Sequence, residues 1–318
     1  HYPLRRQRQM CIRDSVRAAV HAMVHQARVV EPEAGHAAQY DALYRAVYRH
    51  ASHTLAPLSR RLASGWARRL AARARAAPLA LRPSGRRALV VPSLLAADAG
   101  AYAAAARDIE AAASYLGAWV HVDVYDGSPI AAGAYSSMGP ATVAAIRRAA
   151  PSLHVDVHLG VAHPTRSLID EFAAAGAGSI TMQWEALGST GAAEELARHI
   201  RDRSCLVGVC IAPSTSVDAI LPLLRAGVCD LVDVLCVEPG RGGQQFQEAC
   251  LDKVRQIAYT FPSLPIIQAD GGISERTAPL AAAAGANALV AGSALFGAPN
   301  GLSEAFDALE AALIEHGR

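Results

Sequence analysis

Residues 119–124 read Trp-Val-His-Val-Asp-Val, and residues 153–158 read Leu-His-Val-Asp-Val-His. Alternate residues of an extended strand point to one face. His121 and Asp123 therefore share a face, with Val122 on the other. His154, Asp156 and His158 share a face by the same rule. A third stretch, Pro265–Asp270, ends in a carboxylate followed by Gly271-Gly272. Two imidazoles (His121, His158) and two carboxylates (Asp123, Asp270) brought together make a mixed nitrogen–oxygen site for one divalent metal ion. Zn, Fe, Mn or Co would suit it. Each residue alone has a plainer reading. A lone buried histidine is more often a hydrogen-bonded core residue, and a lone Asp at a strand end often caps the next helix. Convergence of the four carries the metal reading. His154, deep at its strand start, reads as structural. Asp156 reads as a carboxylate that orients His158 from behind. His163 reads as a surface or capping residue at the start of the next helix.

Glycines form a second constellation. Pro239-Gly240-Arg241-Gly242-Gly243-Gln244 follows one apolar run, Gly271-Gly272 the next, and Gly292-Ser293 the last. Glycine lets the main chain approach a phosphate closely. Backbone N–H groups of such loops hold phosphate oxygens.

These residues need elements to position them. From residue 88 onward, short β-branched runs alternate with alanine-rich helical patterns. The predicted strands are 88–93, 119–124, 153–158, 178–183, 205–210, 230–235, 265–270 and 288–292. The predicted helices are 98–116, 140–149, 164–175, 191–202, 215–226, 246–260, 274–284 and 302–316. Alternation at this spacing predicts a parallel sheet with crossover helices. Eight βα units in about 230 residues fit an α/β (β/α)8 barrel, a TIM barrel, better than an open doubly wound sheet. No GxGxxG follows the first strand to favour the open sheet. In such a barrel the C-terminal strand ends form the active-site mouth, so Ser93, His121, Asp123, His158 and Asp270 should meet there.

The chain has 318 residues, 52% hydrophobic and 18% charged, enough for a large core rich in alanine. Its net charge of +2 hides a split. Residues 1–87 carry 17 Arg and 4 acidic residues, whereas residues 88–318 carry 13 basic and 24 acidic ones. Two units are therefore expected: a basic Arg/Ala-rich helical extension and linker (1–87) and the barrel (88–318). The arginines are mixed with alanine and leucine at helical spacing, without interleaved aromatics. That pattern reads as solvated helix faces rather than a nucleic-acid surface. Tyr40, Leu43, Tyr44, Val47 and Tyr48 predict one amphipathic helix face. No apolar run is long enough to span a membrane. The basic start is not followed by a secretory-type apolar stretch. Six cysteines without a CxxC pair fit free, buried thiols in a reducing cytoplasm. The first 15 residues lack an initiating Met, match neither unit, and are read as an artefact.

The stretches 91–98 (VPSLLAAD), 121–127 (HVDVYDG), 156–159 (DVHL), 237–246 (VEPGRGGQQF), 269–273 (ADGGI) and 291–298 (AGSALFGA) resemble the ribulose-phosphate 3-epimerase family, in family order across 88–318. The resemblance implies His121, Asp123, His158 and Asp270 as metal ligands, and Asp123 and Asp270 as the acid/base pair. It implies Ser93 and His158 on the substrate side, and Gly242, Gly243, Gly272, Gly292 and Ser293 as the phosphate cradle. The implied reaction is epimerisation at C3 of a ketose phosphate, D-ribulose 5-phosphate to D-xylulose 5-phosphate, through an enediolate. The implied setting is a cytoplasmic homo-oligomer with a small sugar-phosphate substrate and no nucleic-acid or membrane partner. The chain departs from the family where methionines are usual, at Tyr125, Gly160 and Leu235. It also departs at Gln183 (usually His), at Arg241 (usually aromatic) and in a longer 128–138 loop. A different pentulose or hexulose phosphate is the alternative substrate, and a non-catalytic phosphosugar-binding regulator the alternative role. Residues 29–63 faintly resemble the C-terminal tail of FGGY-type carbohydrate kinases, which implies a fusion remnant. A family-specific helical extension is the other reading.

Overall fold

The computed structural model describes residues 88–113, 118–131, 133–136 and 138–315. The chain divides into a unit spanning His1–Leu55 and a unit spanning Ala56–Arg318. The expected N-terminal extension, its amphipathic face and the kinase-like stretch lie outside the described residues.

Eight parallel strands run β1 (Leu89–Pro92), β2 (Trp119–Tyr125), β3 (His154–Gly160), β4 (Ser179–Gln183), β5 (Leu206–Ile211), β6 (Leu231–Leu235), β7 (Ile266–Asp270) and β8 (Ala288–Ala291). The hydrogen-bonded order is β1-β8-β7-β6-β5-β4-β3-β2. A single parallel bridge, Ser93 to His121, joins the two ends of this order. The sheet is thus rolled into the expected barrel.

The described helices are α1 (Tyr102–Ala112), α2 (Pro140–Ala149), α3 (Arg166–Ala175), α4 (Thr190–Asp202), α5 (Leu221–Arg225), α6 (Cys250–Thr260), α7 (Ala278–Ala284), α8 (Ser293–Phe296) and α9 (Leu302–Glu315). Their apolar residues recur at helical spacing, as Ile169 and Phe172 in α3 and Ala193, Ala197 and Ile200 in α4, all buried. They pack on the outward residues of the strands, such as Val120, Val122, Val155 and Val157. Burial of each large side chain in this layer contributes about 1.5–3 kcal/mol.

Several helices are shorter than the sequence pattern predicts. Proline sets two of the starts. Pro222 lies in the first turn of α5 and Pro279 in the first turn of α7. Proline suits the first turn, where its missing N–H costs nothing, so the residues before it stay out of the helix. α8 was not expected. His163 sits exposed in the loop before α3, and Thr165 is the residue that caps that helix, accepting from Leu168 N at 3.2 Å.

Inside the barrel the residues form layers. Val91, Trp119, Leu206, Leu231, Ile266, Ala288 and Val290 make an apolar plug. Trp119 also stacks on His154, ring centroids 3.8 Å apart, and His154 Nε2 meets Ser179 Oγ at 3.0 Å. His154 is a core histidine, as expected. Toward the C-terminal strand ends the inward residues become polar. His121, Asp156, Asp233 and Gln268 are wholly buried. The plug holds these side chains against the mouth and closes the barrel beneath them.

Candidate active site

β2 projects His121, Asp123 and Tyr125 inward, as the two-residue period requires. All three are buried. β3 supplies His158 and β7 supplies Asp270 at its last residue. Donor atoms of His121, Asp123, His158 and Asp270 all lie within 4.8 Å of one another. His121 Nε2 is 3.3 Å from Asp123 Oδ1 and 3.8 Å from Asp270 Oδ2. His158 Nδ1 is 3.2 Å from Asp123 Oδ1. Ser93 Oγ donates to Asp123 Oδ2 at 3.0 Å. The five mouth residues read from the sequence come together.

The far nitrogen of each imidazole is held by a separate partner. Asp156 Oδ2 lies 2.8 Å from His121 Nδ1, while its other oxygen accepts from Ser179 Oγ. Gln268 Nε2 also donates to Asp156, at 3.2 Å. Asp156 therefore orients His121, not His158 as its place on β3 suggested. Across a parallel pair, Asp156 is the register partner of His121, and both point inward. His158 Nε2 donates instead to Gln183 Oε1 at 2.7 Å. The Gln183 amide is fixed in turn because its N–H donates to Glu185. Glu185 is anchored by Ala212 N at 3.0 Å and by the Thr215 hydroxyl. With Nδ1 of His121 and Nε2 of His158 so occupied, the opposite lone pairs face the carboxylates. Two imidazole nitrogens and two carboxylates with fixed outer partners fit a borderline divalent metal.

The two carboxylates differ in charge preference. Burial alone would raise Asp123, but His121 and His158 outweigh it and hold this carboxyl well below the usual range. Burial, reinforced by Asp233 and Asp123, pushes Asp270 well above it. One carboxylate is thus ionised while its neighbour tends to hold a proton. Environments that push two carboxyl groups apart in this way mark acid and base roles.

Above this floor a cleft opens. Its walls include Ser93, Asp123, Tyr125, Leu235, Asp270, Gly242, Gly243, Gly272, Gly292 and Ser293. The expected cradle residues thus share one cavity with the two carboxylates. The loops are tightly nested. Gly272 has φ +69°, and a Cβ there would lie 2.8 Å from the Phe246 Cα. Gly240 has φ +114°, and a Cβ there would meet Ala131 O and the Ala134 methyl. The longer 128–138 loop therefore rests directly on the loop after β6. Ser136 ties it to β2, donating to Asp123 O at 2.7 Å.

Sequence reasoning gave no role to Gln183, Glu185, Asp233 or the Tyr125 hydroxyl. Period-two alternation from Ser179 through Thr181 already turned Gln183 inward. Asp233 on β6 is wholly buried, and neither carboxylate oxygen has an N–H or O–H partner among the described residues. Burial pushes its carboxyl up to about 7. Cys210, its register partner on β5, and His158 lie within 4.8 Å of it. His158 Nε2 is committed to Gln183 and burial keeps the Cys210 thiol protonated, so this trio does not make a second centre.

A closed parallel barrel with an imidazole–carboxylate cluster beneath a glycine-lined cleft has the groups of an enzyme's site, and the comparisons narrow the class. Residues 89–296 match the profile of the ribulose-phosphate 3-epimerase family, to which the chain belongs; it is an epimerase, and so an isomerase. It is 37% identical over 211 residues to ribulose-phosphate 3-epimerase of Schizosaccharomyces pombe, covering 66% of this chain and 87% of that one. Against the cytoplasmic isoform of Oryza sativa subsp. japonica it is 36% identical over 213 residues, 66% and 88% of the two chains. Two solved structures share the fold. KGPDC from Streptococcus mutans gives a TM-score of 0.56 at 16% identity, over 72% of this chain and 99% of that one. 3-Hexulose-6-phosphate synthase from Salmonella typhimurium gives 0.51 at 18%, over 72% and 99%.

Proposed function

We propose that this chain epimerises a ketose phosphate at C3, D-ribulose 5-phosphate to D-xylulose 5-phosphate, with Asp123 and Asp270 as the proton-transfer pair. The observation that carries this reading is the convergence of two carboxylates and two imidazoles at the floor of one cleft with the glycine cradle. The relatives' name, ribulose-phosphate 3-epimerase, supports the substrate.

Inverting a carbon beside a carbonyl requires removal of its proton on one face and return on the other. Two carboxylates flanking that carbon do both tasks, one ionised and one protonated at the start. His121 and His158 favour the ionised form of Asp123, and burial with Asp233 favours the protonated form of Asp270. Ser93 fixes the Asp123 carboxylate through Oδ2. The backbone N–H groups around Gly242, Gly243, Gly272, Gly292 and Ser293 would grip the phosphate, so that binding far from C3 positions the reacting carbon. A divalent ion held by His121, Asp123, His158 and Asp270 would supply positive charge for the enediolate oxygens.

Tyr125 and Gly160 alter the pocket wall beside Asp123, which favours a second reading, a different pentulose or hexulose phosphate as the preferred substrate. The cytoplasm is the proposed setting. One relative is a cytoplasmic isoform, and no helix among the described residues is long and apolar enough to cross a membrane. A homo-oligomer is the proposed assembly.

The test is a panel of ketose phosphates offered to the purified chain with Mn²⁺ or Zn²⁺. Formation of xylulose 5-phosphate from ribulose 5-phosphate, faster than any other conversion, is the expected result. A faster epimerisation of another ketose phosphate would replace the substrate and keep the reaction.

A further inference from the structure

Tyr125 ends β2 on the inward face, two residues beyond Asp123, and is buried. Its hydroxyl donates to Asp123 Oδ1 at 3.1 Å. Its ring stands edge-on to His158, at 87° with centroids 6.1 Å apart. Its backbone N–H donates to Ser136 Oγ at 3.2 Å, so the main chain is held beneath the ring. Across the register pair on β3 stands Gly160. A Cβ on Gly160 would lie 2.5 Å from Cε1 and 2.6 Å from Cδ1 of the ring. The ring thus takes the space that any side chain at 160 would need.

Tyr125 also lines the cleft with Asp123 and Asp270. A phenol carries one donor and can accept as well. Its donor is aimed at the carboxylate proposed to move the proton. A ligand oxygen arriving in this cleft would compete with Asp123 Oδ1 for that one hydrogen. Leu235, another residue of the cleft lining, offers no such group.

We propose that Tyr125, admitted by Gly160, is a substrate-contacting residue whose hydroxyl donates to a ketose-phosphate oxygen adjoining the reacting carbon. The proposal rests on the epimerase reading above. A donor aimed where negative charge develops acts more strongly in the transition state than in the ground state. Loss of the hydroxyl should therefore lower kcat more than it raises KM.

Tyr125→Phe removes the donor and keeps the ring. Full-length, metal-loaded wild type and variant are compared by calorimetry with two probes. A phosphorylated hydroxamate mimics the planar enediolate oxygens, and inorganic phosphate reports the glycine cradle alone. The expected result is about a tenfold loss of hydroxamate affinity with phosphate affinity unchanged. Gly160→Ala touches neither probe, yet its methyl displaces the ring and should reproduce the hydroxamate loss. The double variant should lose no more than Tyr125→Phe alone, because both changes remove one contact. A wild type that exchanges its C3 proton beside a Tyr125→Phe variant equal to it in hydroxamate affinity, kcat and KM overturns the contact and leaves the epimerase reading standing. A wild type that neither exchanges nor binds the hydroxamate overturns both, since the hydroxyl then has no such oxygen to meet.

Discussion

At the residue scale, each imidazole of the cluster depends on a neighbour that fixes its tautomer. Asp156 does this for His121 and Gln183 for His158. Removal of such outer partners commonly costs 10–100-fold in metal affinity. Asp156→Asn is therefore expected to weaken Mn²⁺ or Zn²⁺ binding by about tenfold or more, read by competition with a chromophoric chelator. Unchanged affinity would show that His121 needs no anchor. Asp156 also sets an acid limit. Although burial opposes it, hydrogen bonds from His121 and Ser179 hold its folded pKa below the ordinary value. A carboxyl depressed on folding stabilises the protein above its unfolded pKa, about 3.9, and that stabilisation is lost as pH falls through the folded value. The metal-free Asp156→Asn chain should lose less stability than wild type as pH falls below about 4, by urea midpoints. An equal acid loss in both would place the titration elsewhere.

At the element scale, the loops after β6 and β7 and the 128–138 loop form one nested unit. Gly240→Ala places a methyl against Ala131 O in a backbone region that L-residues avoid. The expected outcome is a weaker grip on inorganic phosphate, by about tenfold, with metal affinity intact. Unaltered phosphate binding would show that the 128–138 loop does not support the cradle. This nesting was not legible in the sequence. The glycine clusters announced that the main chain must come close to something, but not that part of that something is Ala131 and Ala134. The strands were legible because β-branched residues alternate with inward polar ones. The helix starts were less so, because Pro222 and Pro279 act on the turn before them and the apolar period does not show it. Asp156 was misplaced for a related reason. Strand periodicity gives the face a side chain takes, while its partner depends on the register with β2.

At the scale of the whole molecule, the barrel closes beneath a cluster of charge. His121, Asp123 and His158 sit at 0–3% exposure in a floor that the apolar plug supports. Such a cluster resists packing unless a cation balances it, so a metal should stabilise the folded chain by mass action, roughly 4 kcal/mol at a thousandfold excess over Kd. The melting temperature should rise with Mn²⁺ or Zn²⁺, fall on chelation, and respond little to metal in His158→Ala. A metal-independent melting temperature in wild type would remove the proposed centre. The sequence already held the four residues and their mouth positions. It could not show the opposed charge preferences of Asp123 and Asp270: His121 and His158 hold the first down against burial, while burial and Asp233 push the second up.

The proton-transfer pair is tested most directly by deuterium wash-in. Ribulose 5-phosphate is incubated in D2O with the metal-loaded chain, and the C3 position is read by NMR. The wild type should place deuterium at C3 of both substrate and xylulose 5-phosphate, whereas Asp270→Asn, checked to retain its metal, should give no xylulose 5-phosphate. Full epimerisation by Asp270→Asn, or no C3 deuterium with wild type, would contradict the two-carboxylate account.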